Sequence, residues 1–414
     1  MIGPKLPIKT RPQAVIFLFT VIFLTASVFY PIEKAQRAAA SSVDPLFGFS
    51  YPAGYPGWVS AATVAKDMTS LDRSSIIRLT INWSQLQPNC TIETEPGLCV
   101  GSPQTPNWSF LDTSFAALHA AGIKVLASVV SAPDWDWNMS DCGTNCTEDL
   151  QEYKSYSISM PPANSSQGLS YFTSFVSEFL AHYEGLYSNE LIGVEVWNEE
   201  NSASFWPTMS GPDATRYASL LCAANQGVRS VDTSIPVLFG GLAYGNGTNA
   251  SGFVDIPTFL DGAYSAGAKA CMTAISLHSY PGVEPDISGN PFYSAFSQVR
   301  TTDQANGITS IPIWLTEIGY CVTGSSGCVT VTQEQQGYFL ECAYQMTVGM
   351  PDVAAVIVET LYDASASTQL LGIYQDPSTP RQAVSILTQL FAAYGTTVPA
   401  VANCSSAYGW PPGL

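Results

Sequence analysis

Eight short apolar runs alternate with amphipathic stretches between residues 46 and 360, and few folds accommodate that rhythm. The runs are LFGFSY (46–51), SIIRLTINW (75–83), IKVLASVV (123–130), LIGVEVWN (191–198), IPVLFGGL (235–242), MTAISLHSY (272–280), IPIWLTEIG (311–319) and VAAVIVET (353–360). They are rich in Val, Ile and Leu and scarcely alternate with polar residues, as strands covered on their outer face do. The intervening segments, such as SFLDTSFAALHAAG, LSYFTSFVSEFLAHYEG and TQEQQGYFLECAYQM, carry the helical period. Eight strand–helix units over about 370 residues predict an α/β protein, a (β/α)8 TIM barrel with enlarged loops. An open doubly wound sheet is the rival, but its GxGxxG turn is absent after the first strand. Residues 43–414 read as this single domain, ending in a loop-like tail after 395, with a separate segment at 1–42.

In such barrels the chemistry sits at the C-terminal ends of the strands. Two of the runs end there on a carboxylate: VEVWNEEN (194–201) at Glu199 and IWLTEIGY (313–320) at Glu317. Two acids on one rim, three βα units apart, suit glycosidic bond cleavage. One carboxyl protonates the leaving oxygen while the second attacks or stabilises the sugar cation. The sixth run brings His278 and Tyr280 to the same rim, the fifth brings Gly240 and Gly241, and Arg78 lies inside the second.

These segments together resemble the clan A retaining glycoside hydrolases, and within the clan family 39 and related endoglycosidase-like proteins. In that clan an Asn-Glu pair ends strand four, matched here by Asn198-Glu199, and a second Glu ends strand seven, matched by Glu317. HSY at 278–280 resembles the strand-six His-x-Tyr, and IIRLTINWSQLQP the strand-two segment that carries an Arg. The resemblance runs in order from about residue 44 to 394. It implies that Glu199 is the acid/base and Glu317 the nucleophile of a double displacement. Arg78 and Tyr280 would hold Glu317 charged and aimed, and Asn198 would bind the sugar 2-OH. His278 would bridge these groups or bind a hydroxyl. Strand eight departs from the clan: where many relatives carry a Trp beneath the sugar, this chain has VIVETLYDA, with Glu359 near that place. Glu359 is expected to bind sugar hydroxyls or an amino sugar.

Aromatic residues crowd the ends of the runs and the loops: Trp83, Trp135, Trp137, Trp206, Tyr244, Tyr320 and Tyr362. Sugars present apolar C–H faces to such rings, so Trp83, Trp135 and Tyr320 are expected to line the cleft. Glu195, four residues before Glu199 on the same strand, is expected to be a buried structural acid, and Glu200 to face away from the cleft. His119 and His182 fall on helices as ordinary surface residues. No GxSxG elbow and no cysteine or histidine cluster of zinc spacing is present, so no metal and no cofactor is expected. Two other readings use the same residues: a catalytically silent carbohydrate-binding barrel, and a transglycosylase.

Composition bears on partners and location. Lys and Arg number 15 against 33 Asp and Glu, a net charge of −18. Past residue 42 the balance is ten basic to 32 acidic residues, a charge field that repels nucleic acid and anionic membranes. A carbohydrate substrate and a monomeric chain are expected. Residues 14–30, AVIFLFTVIFLTASVFY, follow Lys5, Lys9 and Arg11 and read as a signal peptide or a single membrane anchor with a short stalk. Either delivers the body outside the cytoplasm, secreted or anchored. Ten cysteines agree with export. Three pairs close short loops: Cys90 with Cys99, Cys142 with Cys146, and Cys321 with Cys328. The pairing of Cys222, Cys271, Cys342 and Cys404 is open at this point, and nine N-x-S/T sequons suit glycosylation in a host that performs it.

Overall fold

The computed structural model describes residues 44–51, 59–90, 93–95, 98–99, 102–137, 160–244, 252–280, 291–325, 328, 330–348, 350–363 and 369–393. The apolar run 14–30, the Cys142–Cys146 loop and the tail after 395 lie outside them. Among the described residues no helix is long and apolar enough to cross a membrane.

All eight expected strands form: β1 (Leu46–Tyr51), β2 (Ser74–Asn82), β3 (Lys124–Val130), β4 (Leu191–Asn198), β5 (Val237–Ala243), β6 (Ala274–His278), β7 (Ile313–Ile318) and β8 (Val353–Val358). Each pairs in parallel with its sequence neighbours, and β1 pairs with β8 to close the barrel. Eight helices follow the strands in turn: α1 (Ala61–Thr69), α2 (Ser109–Ala120), α3 (Ser166–Leu186), α4 (Ala214–Val231), α5 (Ile256–Ser265), α6 (Pro291–Ala305), α7 (Gln333–Val348) and α8 (Gln382–Ala393). The fold is therefore the (β/α)8 barrel.

Local chemistry starts several of these helices. Ser60, Ser165, Asp213 and Asp255 cap the first turns of α1, α3, α4 and α5 by accepting from backbone N–H groups. α7 begins with a reciprocal box: the Gln335 N–H donates to Thr332 Oγ1 at 3.1 Å, and the Thr332 N–H to Gln335 Oε1 at 2.9 Å.

Two apolar layers flank the strands. The larger lies between strands and helices and holds most of the buried aromatic side chains. The smaller fills the floor of the barrel with Ile76, Leu126, Leu238, Ala274, Trp314, Ala355 and Ile357. Strand side chains alternate between faces. Two residues above the floor, the inward face therefore carries Arg78, Ser128 and Ser276, and still higher His278 and Glu359. The polar rim thus stands on an apolar plug that positions it.

Disulfides tie the shell. Cys321 and Cys328 are bonded, as the loop spacing led one to expect, and Cys222 on α4 is bonded to Cys271 just before β6. Cys90 and Cys342 are also disulfide-bonded.

Candidate active site

Arg78 organises the floor of the site. From the middle of β2 its guanidinium donates to Glu195 Oε1 and Glu317 Oε1, both at 2.7 Å, to Asn198 Oδ1 at 2.7 Å, and to Ser128 Oγ at 3.2 Å. Four strands are bound by this one cation. Glu195 is fully buried and takes a further bond of 2.8 Å from Ser128. Burial pushes its carboxyl up most strongly, but the charges of Arg78 and His278 together with its hydrogen bonds outweigh burial and hold it below the usual range. Burial likewise opposes the charge on Arg78, and the negative charges of Glu195 and Glu317 overcome it. Glu195 is thus the structural acid expected from its depth. It is the counter-ion that fixes Arg78.

Backbone geometry at the end of β4 aims the first of the expected pair. Glu195 faces the axis, so the two-residue period would put Trp197 inward as well. Instead Trp197 has φ 78°, in the left-handed region, and its indole turns to the Phe205 carbonyl at 2.8 Å and to Trp206. Asn198 consequently reaches Arg78. Glu199 is also left-handed, at φ 47°, and its N–H donates to the Gly241 carbonyl at 3.0 Å. Two consecutive inward-pointing side chains result, which a regular strand cannot give. Such local strain clusters where a site needs it.

Glu317 at the end of β7 receives Arg78 on Oε1 and the Tyr280 hydroxyl on Oε2. His278 stands between the acids, fully buried, with Nδ1 at 3.0 Å from Glu199 Oε1 and 3.3 Å from Glu317 Oε2. Nδ1 therefore faces one carboxyl oxygen of each acid. Burial lowers the affinity of the ring for a second proton, but the Glu317 charge and the bond to Glu199 more than offset this and raise it. One carboxylate oxygen of each acid and a ring nitrogen of His278 lie within 4.8 Å of one another. A cation could be held at that spacing, yet Glu317 already accepts from Arg78 and Tyr280, and His278 Nδ1 faces both acids. The side chains of Glu199 and Glu317 keep 14% and 12% exposure, enough for a substrate to touch them.

Glu199, Glu317, Arg78, Asn198, His278 and Tyr280 therefore meet at one rim. The expected aromatic wall does not form from the residues named for it. Trp83 is fully buried outside the barrel, packed on Phe172, Phe175 and Trp135, with its N–H on Gln87. Trp135 is 1% exposed and donates to the Gln87 carbonyl, while Tyr320 is 4% exposed against Phe339 of α7. None of the three offers a ring face to a sugar. Trp137, Trp206 and Tyr362 are buried too, and Tyr244 is half-buried. Glu200 faces away from the cleft as expected, but into the interior: it is fully buried, and neither carboxyl oxygen finds a partner. Ser128 is a contributor that the sequence did not single out, whereas Gly241 was placed at this rim by the fifth run. For Ser128 the signal was a hydroxyl in an otherwise apolar strand.

No protein-family model matches the chain, and no curated protein matches it in sequence. Solved structures do, and they define a class: in fold the chain is similar to the (β/α)8 barrels of family 39 and other glycoside hydrolases. A family 39 β-xylosidase from Caulobacter crescentus superposes with a TM-score of 0.59 at 17% identity, over 85% of this chain and 72% of that one. The family 39 enzyme from Xanthomonas axonopodis pv. citri gives 0.59 at 16%, over 86% and 71%. The β-glucosidase from Pyrococcus furiosus gives 0.56 at 11%, over 89% and 99%. At the level of the fold, these matches agree with the resemblance read from the motifs.

Proposed function

We propose that the chain is a retaining O-glycoside hydrolase of an extracellular poly- or oligosaccharide, with Glu199 as acid/base and Glu317 as nucleophile. The observation that carries this reading is the spacing of the two acids, whose nearest oxygens lie within 4.8 Å. Double displacement works at about 5–5.5 Å between carboxyls, whereas inversion leaves about 6.5–9.5 Å for a water. The fold neighbours, among them a β-xylosidase and a β-glucosidase by name, support the same class.

The steps follow from the contacts. Glu317 attacks the anomeric carbon as the glycosidic C–O bond breaks, and Glu199 gives its proton to the departing oxygen. A glycosyl ester on Glu317 remains. Glu199, now a carboxylate, takes a proton from water, whose oxygen attacks the anomeric carbon and frees Glu317. Arg78 and Tyr280 each occupy one oxygen of Glu317, which orients it. Asn198 has its carbonyl oxygen committed to Arg78, leaving its NH2 for a sugar 2-OH. His278 holds Glu199 in register with Glu317. We assign the acidic body to the outside of the cell, secreted or anchored through 14–30, on its cysteine content and leader-like start.

The test is covalent trapping. A 2-deoxy-2-fluoro glycoside with a good leaving group should add one sugar to Glu317, located by peptide mass mapping. Labelling at another residue, or turnover with inversion of configuration, would remove the proposal.

A further inference from the structure

One carboxyl beside the acid pair takes part in none of these steps. Ala355 and Ile357 belong to the apolar floor of the barrel, and the strand period carries Glu359 onto the same inward face above them. Its N–H donates to the Ile318 carbonyl at 2.8 Å, directly after Glu317, and the next residue, Thr360, donates from Oγ1 to the Ser50 carbonyl on β1 at 3.0 Å. The side chain is half-buried and within electrostatic reach of Glu317, Arg78 and His278. Burial and the charge of Glu317 push its carboxyl up to about 7. Below about pH 7 Glu359 is therefore mostly a neutral acid, with an O–H to give and an oxygen to receive, and above it a carboxylate.

The surroundings restrict what such a group could hold. The Arg78 fork is committed to Glu195, Glu317, Asn198 and Ser128, so it cannot also clamp a carboxylate on the substrate. Trp83, Trp135 and Tyr320 are turned away, so polar groups rather than these rings must grip the sugar. A hydroxyl can both donate to and accept from a carboxylic acid. A uronate would bring a second negative charge up to Glu317.

We propose that Glu359 is a specificity-determining residue of the sugar subsite beside Glu317, binding a hydroxyl of a neutral sugar and turning uronates away. The inference rests on the glycosidase reading above and adds the substrate class. Sites built to bond a hydroxyl reject the analogue lacking it far more strongly than apolar pockets reject a missing methylene.

The experiment compares wild type, Glu359→Gln and Glu359→Ala on aryl glycosides. The substrates are the best neutral glycoside from a glucoside, xyloside, mannoside and galactoside panel, its monodeoxy analogues, and the uronide of matching configuration. Wild type should prefer the parent over one deoxy analogue by about a hundredfold or more and leave the uronide uncut. Glu359→Ala should raise KM for the parent about tenfold or more and erase that preference. The isosteric Glu359→Gln should keep most activity on the parent and, assayed above pH 7 where wild-type Glu359 is ionised, gain about tenfold on the uronide because that charge is gone. A merely structural role would lower all substrates in parallel. If wild type cleaves none of the panel and binds no iminosugar by calorimetry, the glycosidase reading and this inference both fall. If wild type cleaves and Glu359→Ala keeps every parent-to-deoxy ratio, this inference alone falls.

Discussion

The imidazole of His278 occupies the space where a side chain on residue 241 would begin: a Cβ on Gly241 would lie 2.0 Å from Nε2. No real contact is that short. The ring is fully buried and bonded through Nδ1 to Glu199, so it cannot simply swing aside. Gly241→Ala should therefore push the ring off the acid pair. A misplacement of about 1 Å costs on the order of a hundredfold in rate, and overpacking costs about 1–3 kcal/mol of stability. Steady-state kinetics alongside urea unfolding would check both, and full activity in the alanine variant would show that the site does not depend on this fit.

The next position along β5 has the same relationship with a different acid. A Cβ on Gly240 would meet Glu200 Oε2 at 2.2 Å, so the strand is bare there to admit a buried carboxyl. Burial, with the nearby charges of Glu195 and Glu199, holds Glu200 well above the usual carboxylate range. Below the unfolded value of about 4.3 both states are protonated, and nothing is lost. Above it the unfolded chain releases the proton while the folded one keeps it, so wild type loses stability as pH rises, up to about 1.4 kcal/mol per pH unit. Glu200→Gln has no proton to release. Its Tm should match wild type near pH 4 and exceed it increasingly toward pH 7. A gap independent of pH would mean that Glu200 is ionised in the fold.

The two acids of the cleft should fail in different ways. Glu317→Ala removes the nucleophile, so turnover should vanish, and added azide or formate should restore part of it by attacking from the vacated side. Glu199→Ala removes only the proton donor. Aryl glycosides with acidic leaving groups should then be cleaved far better than alkyl glycosides, which need protonation. Equal loss on both substrate types would contradict the division of roles.

How much of this was legible depended on strand parity. The eight strands were readable because parallel strands in a covered barrel are apolar almost throughout, and no other element has that texture at that length. Arg78, His278, Tyr280 and Glu317 were readable as charged or polar residues interrupting such runs. The aromatic wall was misread because nearness in sequence to a strand end does not say which way a ring points. Parity helps for Trp83, five residues from Arg78 and so on the outer face under the helices, but not for Tyr320, because on β7 Trp314 in the floor and Glu317 at the rim are themselves an odd three residues apart across a register shift. Parity fails where the backbone turns left-handed, at Trp197 and Glu199, and no propensity of Trp or Glu forecasts that conformation. The space beside Gly241 was likewise invisible, since it exists only once β5 and β6 lie side by side.

The two described disulfides should act on different properties of the molecule. Cys222–Cys271 closes a separation of 49 residues and ties α4 to the approach of β6, away from the cleft. In the chain-entropy model a loop of that length contributes about 4 kcal/mol, against about 2 kcal/mol for a very short one. Cys321–Cys328 spans only seven residues, but it begins four residues after Glu317, and Cys321 is buried beside Tyr320. The paired change Cys222→Ala with Cys271→Ala should therefore lower stability strongly and leave kcat/KM near wild type. Cys321→Ala with Cys328→Ala should do the reverse: a smaller stability loss and a clear rise in KM, because the segment that follows the nucleophile is released. Guanidinium unfolding and initial-rate kinetics on the two double variants separate these outcomes. An unchanged KM in the second variant would show that the Cys321–Cys328 loop plays no part in holding substrate.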